Sequence, residues 1–390
     1  MKIAIVGGGP SGAYLAFLLR HQGHDTVLFD PLTPWEKPCG GGVTTKALKA
    51  FPFVKETERA RSVIRQVRFL CSDSPPVTVL LKEPLSIFSR EELNGLFLEK
   101  ALEAGTVHIR ERVLQIERRS SGWQVSTSQG IYQSDLLIGA DGANGIVRKT
   151  LYRPFSKRDL TLGLGYYVKG EWGEIMEIEF LRDLPGYIWI FPRIDHASVG
   201  ICSLAGSCPR SAMFDRLKQF LQIRYPSVKL DEAAIFSAPI PSFLETDLMN
   251  EPFAGEGWAL VGDAAGLVDP ITGEGIYYAL RSAELFADSL QEGDLGSYRE
   301  RLKGDLLPEL TKAAHLYKRF YDPQNIRNML RLSARSSTVR AILGDLVLGD
   351  QGYLTLKRRL ALNAPRVGIE LLLSALKNYI RGGHNSPPHL

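Results

Sequence analysis

Cysteines are few in this sequence, and long apolar runs are missing from it. The four cysteines are scattered without any Cys-x-x-Cys pair, so we expect no disulfide framework and no metal site; they are Cys39, Cys71, Cys202 and Cys208. No run of about eighteen or more uncharged apolar residues occurs, so no membrane span is expected. Met1 leads directly into a strand-like segment, so no secretory signal is expected. These absences indicate a cytoplasmic protein, in a compartment where thiols stay reduced.

The composition is that of an ordinary globular enzyme, but the charge is unevenly distributed. The chain has 390 residues, 44% of them hydrophobic and 23% charged, which suits about two or three domains and argues against disorder. From Arg299 to Leu390 there are 16 Lys and Arg against 7 Asp and Glu. This basic region suits an anionic membrane surface or phosphate groups, although solvated faces of ordinary helices explain it equally well. Zinc-finger spacings and RNA-binding motifs are missing, so no nucleic-acid partner is expected.

The first thirty residues predict a nucleotide-binding βαβ unit. An apolar strand ends in Gly7-x-Gly9-x-x-Gly12, a helix of small residues follows, and a second strand ends at Asp30. The first glycine permits a tight turn, the second lets a pyrophosphate approach, and the third lets helix and strand pack closely. Asp30 is placed to accept hydrogen bonds from the ribose hydroxyls of an adenosine. The segment therefore predicts an adenine dinucleotide, held by Gly7, Gly9, Pro10, Ser11, Gly12 and Asp30.

Two further segments show which dinucleotide this is. Residues 137–148 read as a strand, a turn at Asp141-Gly142 and a helix start, and residues 260–276 read as a strand ending on Gly262-Asp263 before a new helix. With the glycine motif, these segments resemble the FAD-binding motifs of the group that includes para-hydroxybenzoate hydroxylase. The resemblance implies that Asp263 contacts the ribityl chain and that the next helix faces the flavin. The implied FAD contacts are Arg90, Asp141, Gly142, Gly262, Asp263, Pro270, Gly273, Gly275 and Ile276.

Two more segments resemble the geranylgeranyl reductase family, whose members saturate prenyl chains. They are the Lys-Pro-Cys-Gly-Gly-Gly-Val run at 37–43 and the Tyr-x-Trp-x-Phe-Pro strand at 187–192. The resemblance covers most of residues 1–300 and implies that Cys39, Gly40 and Gly41 lie beside the flavin. It also implies a substrate site of Gly42, Tyr187, Trp189 and Phe191. From spacing alone, the three aromatics share one face of a strand, which suits an ordinary core as well as a cavity wall.

The expected reaction is the reduction of isolated C=C bonds by a hydride from the reduced flavin N5 and a proton from the protein. An isolated alkene is not an electrophile, so a general acid must point into a dry, apolar tunnel. Cys39 is the first candidate, with Tyr187 and His196 as weaker ones, and the predicted catalytic residues are Cys39, Tyr187 and Trp189. Cys39 could equally be an inert loop cysteine.

Two other functions are compatible with this sequence. A flavin-dependent monooxygenase acting on an aromatic or lipophilic molecule would use the same fold. A halogenase is disfavoured, because the only nearby upstream lysine in the general region where a catalytic lysine would be expected, Lys82, has no surrounding motif. A flavoprotein without its own turnover, such as an electron-transfer subunit, lacks support because no iron–sulfur cysteine spacing is present.

The sequence leaves the electron donor and the role of the C-terminal region open. No second dinucleotide motif is present, so NADPH would dock transiently, or a ferredoxin would supply electrons. Residues 366–381 carry an apolar stripe, which suits either peripheral contact with the cytoplasmic membrane face or ordinary packing.

We predict an α/β protein with a Rossmann-like FAD-binding domain interrupted by a mostly antiparallel β-sheet substrate domain, followed by a helical C-terminal tail. The FAD domain comprises residues 1–60, 90–155 and 250–295. The substrate domain comprises residues 61–89 and 156–249, and the tail residues 296–390. Residues 31–45 are expected to form a loop.

Overall fold

The structure, a computed structural model, describes the backbone of residues 1–382 and the side chains up to residue 376. In chain order, its strands are β1 (Lys2–Val6), β2 (Asp25–Phe29), β3 (Gly42–Val43), β4 (Arg61–Cys71), β5 (Ser74–Phe88), β6 (Val107–Ile109), β7 (Gln115–Arg119), β8 (Gly122–Ser126), β9 (Ile131–Ser134), β10 (Leu136–Gly139), β11 (Leu160–Lys169), β12 (Ile175–Phe180), β13 (Gly186–Pro192), β14 (His196–Leu204), β15 (Ala234–Pro241), β16 (Ala254–Gly255) and β17 (Trp258–Leu260). Its helices are α1 (Pro10–His21), α2 (Thr45–Ala50), α3 (Pro52–Glu56), α4 (Arg90–Glu103), α5 (Ile146–Leu151), α6 (Arg210–Arg224), α7 (Ile276–Gln291), α8 (Ser297–Asp305), α9 (Leu307–Phe320), α10 (Pro323–Arg335), α11 (Ser337–Val347) and α12 (Tyr353–Gly382).

A six-stranded sheet forms the Rossmann-like part of the chain. Its order is β16-β17-β10-β1-β2-β6, and all neighbours are parallel except β16 and β17. Leu136, Leu137 and Ile138 of β10 are all buried, as expected for a parallel strand covered on both faces. Helix α1 packs against α4 and α7.

An eight-stranded sheet forms the second part, in the order β15-β11-β14-β13-β12-β4-β5-β3. It is antiparallel except where β12 pairs with β4. Alternation along β13 places Ile188 and Ile190 in a core with Met213 and Leu217 of α6. The side chains of odd-numbered residues on β13 lie on the opposite face.

The C-terminal helices cover that opposite face of the sheet. Ile326 and Leu330 of α10 and Leu343 of α11 share a buried core with Val77 and Val79 of β5. The region predicted as a tail therefore closes the sheet, and up to residue 382 it is helical as predicted. Within that described part of the chain, no helix is both long enough and apolar enough to cross a bilayer.

The structure contains several strands that the sequence analysis did not predict. The expected loop 31–45 contains β3, which pairs with Ser86 and Ile87 of β5. Strands β9 and β15 were not predicted, because β9 has four residues and β15 contains two prolines. Every strand of the six-stranded sheet lies within the ranges predicted for the FAD domain, while the domain boundaries themselves stay predictions.

Candidate active site

Three segments that lie far apart in the sequence meet at one edge of the six-stranded sheet. Strands β1, β10 and β17 are parallel neighbours, so their ends at Val6, Gly139 and Leu260 lie side by side. The turn after β17 rests on the start of α1, since a Cβ on Gly262 would lie 2.7 Å from the Oγ of Ser11. The carboxyl edge of such a sheet is where α/β proteins bind ligands.

The three glycines of the first motif have different surroundings. Gly7 has a φ of +105°, and a Cβ there would lie 2.3 Å from the carbonyl oxygen of Ala140. A Cβ on Gly12 would lie 1.9 Å from the carbonyl oxygen of Gly7, whereas a Cβ on Gly9 would meet nothing within 4 Å. No side chain caps α1, and Pro10 has no N–H, so the free amides of its first turn face the open space at Gly9.

One cavity extends from the start of α1 to the C-terminal helices. Its walls include, at the α1 end, Gly9, Pro10, Ser11 and Arg90, and at the far end Phe69, Met176, Phe180, Leu343 and Leu346. Of the predicted site residues, those that do not line it are Gly7, Gly12, Asp30, Asp141, Gly262 and Pro270. The other predicted residues all line it: Cys39, Gly40, Gly41, Gly42, Gly142, Tyr187, Trp189, Phe191, Asp263, Gly273, Gly275 and Ile276, together with those at the α1 end.

Arg90 lies on the cavity wall as a buried cation. Arg90 is 4% exposed, and its Nη2 donates a hydrogen bond to the side-chain oxygen of Asn94 at 3.1 Å. The Nε is buried without a hydrogen-bond partner, and no carboxylate among the described residues forms an ion pair with the guanidinium. A buried cation without a counter-ion is costly, so this position suits an anionic ligand group.

Two of the predicted acidic residues accept hydrogen bonds from backbone amides and do not line the cavity. Asp30 accepts from the amide of Gly8 at 2.7 Å and from the amides of Leu32 and Thr33 at 2.9 Å. It therefore fixes the glycine turn to the end of β2. Asp141 accepts from the amide of Val147 at 3.0 Å, at the start of α5, and burial raises the pKa of its carboxyl to about 6. Their predicted contacts with the cofactor stay predictions.

Asp263 lies on the wall of the cavity, at the turn after β17. Its Oδ2 is 3.3 Å from the ammonium of Lys37, which belongs to the loop before Cys39. This ion pair links the Gly262-Asp263 turn to the loop that contains Lys37.

The loop from Cys39 to Gly42 lies directly on the ring of Phe191. A Cβ on Gly40 would lie 2.4 Å from that ring, so only glycine permits this approach. The carbonyl of Cys39 accepts from the Nη2 of Arg193 at 2.9 Å and from the Oγ of Ser198 at 3.0 Å. Arg193, itself buried, also donates to the partly exposed Glu36 at 2.7 Å, so this ion pair fixes the side chain that holds the loop.

The aromatic side chains of β13 form the cavity wall against which this loop packs. Tyr187 and Trp189 contact edge to face with ring centroids 6.2 Å apart. The Oη of Tyr187 donates to the carbonyl of Thr272 at 2.6 Å, and burial raises the pKa of Tyr187 well above its ordinary value. His196, the weaker acid candidate, lies away from the cavity wall, with its Nδ1 2.6 Å from Asp195.

Sequence reasoning missed a polar group on the cavity wall. The Oγ1 of Thr44 donates to the Oε1 of Glu274 at 2.5 Å, and the Oη of Tyr353 donates to the Oδ2 of Asp269 at 2.8 Å. Lys46 also lines the cavity. Glu274 lies between Gly273 and Gly275, two residues that were predicted to contact FAD. Its contact with Thr44 could not be predicted, because it depends on the fold.

Sequence reasoning also missed the C-terminal contribution to the cavity. Phe320, Tyr321, Leu343, Leu346 and Val347 line its far end. No sequence signal could have identified them, because apolar residues at helical spacing look the same in a core and in a cavity wall.

The residues present fit FAD. The open space at Gly9 faces free helix amides, which suits a diphosphate. The unpaired Nε of Arg90 offers a further donor. Helix α7 has neither a side-chain cap nor an acid in its first turn, so its positive end is free for the flavin. Asp263 lies on the same wall.

The chain is similar in sequence to several known proteins. Residues 5–54 match the family model described as an NAD(P)-binding Rossmann-like domain. The geranylgeranyl diphosphate reductase of Synechocystis is 28% identical over 337 residues, which cover 78% of this chain and 79% of that protein. A menaquinone reductase of Mycobacterium tuberculosis is 29% identical over 332 residues, 78% of this chain and 79% of that protein.

A solved structure shows the same fold. The geranylgeranyl bacteriochlorophyll reductase-like protein of Thermoplasma acidophilum matches with a TM-score of 0.76 at 19% identity, over 92% of this chain and 98% of that chain. The predicted α/β fold, with its Rossmann-like domain, β-sheet domain and helical C-terminal region, is thereby confirmed. The resemblance noted from the motifs is confirmed as well: the chain is an FAD-dependent oxidoreductase that is similar in sequence to proteins named geranylgeranyl reductase.

Proposed function

We propose that the protein reduces isolated C=C bonds of a prenyl chain of the geranylgeranyl type. The observation that carries this proposal is the continuity of one cavity, from the dinucleotide cradle at Gly9 to an apolar chamber. The chamber walls include Phe69, Met176, Phe180 and Leu346, which suit an aliphatic chain. The Synechocystis relative is named for a geranylgeranyl substrate, which supports the same substrate class.

When bound, reduced FAD supplies the hydride for this reaction. The residues of the chain position the substrate and exclude water from it. The loop at Gly40 and the ring of Phe191 leave no space between them for solvent, and Trp189 extends the apolar wall. An alkene that accepts a hydride at one carbon also needs a proton at the other, so an acid on the wall must deliver it.

We further propose that the electron donor is either transiently docked NADPH or a ferredoxin. The six-stranded sheet uses its single glycine motif for FAD, so neither donor has a permanent site in this proposal. The basic C-terminal region is complementary in charge to an acidic electron-donor protein such as a ferredoxin.

We also propose that α12 lies on the cytoplasmic face of a membrane. Six of its aliphatic side chains are each more than half exposed: Leu354, Leu362, Ile369, Leu372, Leu373 and Leu376. They recur at helical spacing, opposite the partly buried side chains of the same helix. Lys357, Arg358 and Arg366 are exposed beside them, which suits an anionic bilayer surface. The helix begins at Tyr353, on the cavity wall, so a chain leaving the bilayer would have a short path to the cavity.

The proposed function is tested by product analysis without oxygen. The FAD-loaded protein is reduced chemically and incubated with geranylgeranyl diphosphate, and the product is examined by mass spectrometry. The proposal predicts the gain of one H2 for each reduced double bond. An unchanged alkene, together with a hydroxylated aromatic product when oxygen is admitted, would show a monooxygenase instead.

A further inference from the structure

We infer that Glu274 is the acid that donates the proton to the alkene, an inference that rests on the proposed alkene reduction. Nothing in the motif resemblance assigned a role to this side chain, which occupies the turn immediately before α7.

The position of Glu274 brings its carboxyl to the place where the predicted cofactor and substrate segments meet. Glu274 lines the cavity. Its neighbour Gly273 approaches the aromatic wall so closely that a Cβ there would lie 3.3 Å from the Oη of Tyr187. Its hydrogen-bond partner Thr44 follows the Cys39–Gly42 loop. The carboxyl is therefore on the wall that links the flavin side of the cavity to the substrate side.

The hydrogen bonds around Glu274 determine which oxygen can carry a proton. The Oγ1 of Thr44 accepts from the amide of Ala47 at 3.3 Å, as the cap of α2. Its own hydrogen is thus directed to the Oε1 of Glu274, 2.5 Å away. Because Oε1 accepts that hydrogen, the proton of the neutral carboxyl resides on Oε2. No described residue forms a hydrogen bond with Oε2, so that proton is available for transfer.

The surroundings of Glu274 keep the carboxyl partly protonated near neutral pH. Burial raises its pKa from 4.5 to about 7, and the charge of Asp269 acts in the same direction. The hydrogen bond from Thr44 and the charge of Lys46 lower it. Lys46 is itself held over the ring of Tyr277, with its ammonium 3.8 Å from the ring centroid. An acid with a pKa near the working pH is the most effective proton donor.

The other candidate on the aromatic wall is less suited to this task. The hydroxyl hydrogen of Tyr187 is already donated to the carbonyl of Thr272, and burial raises its pKa well above 10. Tyr187 therefore serves to hold the turn that carries Glu274.

The proposed step balances as follows. The O–H bond on Oε2 of Glu274 breaks and a C–H bond forms at one alkene carbon. The second hydrogen and its electron pair arrive at the other carbon as the hydride that reduced flavin supplies. Glu274 is left as a carboxylate and regains its proton from water after the product leaves.

The test compares Glu274→Gln with Asp288→Asn, an exposed carboxyl on the helix that follows Glu274. In single-turnover assays, we expect Glu274→Gln to slow alkene reduction by about 100-fold or more, with FAD and substrate affinities changed less than about twofold. Asp288→Asn should leave the rate unchanged. The rate of the wild type should fall as the pH rises through about 7, because the acid must be protonated, and the residual rate of Glu274→Gln should not show this fall.

A second readout does not depend on turnover. In the FAD-loaded protein without substrate, an infrared carboxyl band that is absent from Glu274→Gln should titrate near pH 7. Thr44→Val should shift this titration to higher pH, because it removes a hydrogen bond to the ionised form, whereas Thr44→Ser should retain it.

The outcomes separate this inference from the proposed function. A wild type that leaves every prenyl probe unchanged overturns the proposed function. An active wild type with an equally fast Glu274→Gln variant overturns only the assignment of the acid, as does a slow Cys39→Ala variant beside a fast Glu274→Gln. A Glu274 carboxyl that titrates near its ordinary value of 4.5 also overturns the assignment.

Discussion

Replacing Gly9 with alanine should weaken FAD binding without disturbing the fold. In the structure, a Cβ on Gly9 meets nothing within 4 Å, and the residue has a φ of −69°, which alanine adopts readily. Alanine is a poorer helix cap than glycine, but it also lowers the entropy of the unfolded chain. These two effects are each about 1 kcal/mol or less and oppose one another. The melting temperature of the apoprotein should therefore stay within about 3 °C of the wild type.

The same methyl group would occupy the space where a diphosphate must approach the amides of α1. A hydrogen bond to a charged group contributes about 1.5–3 kcal/mol. Losing one such bond weakens binding by about 10- to 150-fold, at about 1.4 kcal/mol for each tenfold change. Titration of the apoprotein with FAD, followed by flavin fluorescence, measures this loss directly.

Gly12→Ala provides the contrast to Gly9→Ala. Its Cβ would lie 1.9 Å from the carbonyl oxygen of Gly7, so it should lower both FAD affinity and the melting temperature, by overpacking of about 1–3 kcal/mol. A Gly9→Ala protein that binds FAD as tightly as the wild type would refute the reasoning about the cradle.

Three further predictions concern stability, pH and the membrane. Glu251→Gln should lower the free energy of unfolding in urea by about 3–5 kcal/mol, because it leaves the guanidinium of Arg148 buried without its partner; a loss below about 1 kcal/mol would contradict this. The folded state holds a proton on Asp141 more tightly than the unfolded chain, since its pKa is raised from 3.8 to about 6. Stability should therefore decrease as the pH rises through this interval, by at most about 3 kcal/mol, and Asp141→Asn should lack the decrease. Ile369→Glu with Leu376→Glu should abolish sedimentation with vesicles that contain phosphatidylglycerol, and persistent binding would exclude α12 as the contact.

The elements that could be predicted from the sequence are those with a strong local pattern. The glycine motif, strand β10 and helix α7 each combine a continuous apolar run or helical spacing with a glycine turn, so local physics determines them. Strand β3 could not be found this way, because its two residues pair with β5 only through the tertiary fold.

The site was predictable where a motif carries its own chemistry. Gly9, Arg90 and Asp263 were named from the sequence, and all three line the cavity. The contact between Thr44 and Glu274 joins residues 230 positions apart, and only the meeting of α2 with the turn before α7 creates it. The closing of the apolar chamber by α11 likewise follows from packing rather than from any pattern in its sequence.

The central claim is that one cavity places FAD beside a prenyl chain, and an anaerobic stopped-flow experiment tests it most directly. Chemically reduced wild type is mixed with geranylgeranyl diphosphate, and flavin reoxidation is followed by absorbance. The same is done for Leu346→Trp, which fills the apolar chamber, and for Leu332→Trp, on the exposed side of α10. We predict reoxidation of the wild type and of Leu332→Trp, while Leu346→Trp retains its FAD but reoxidises at least about tenfold more slowly. A wild type that the prenyl substrate does not reoxidise, or a Leu346→Trp variant as fast as the wild type, would contradict the account.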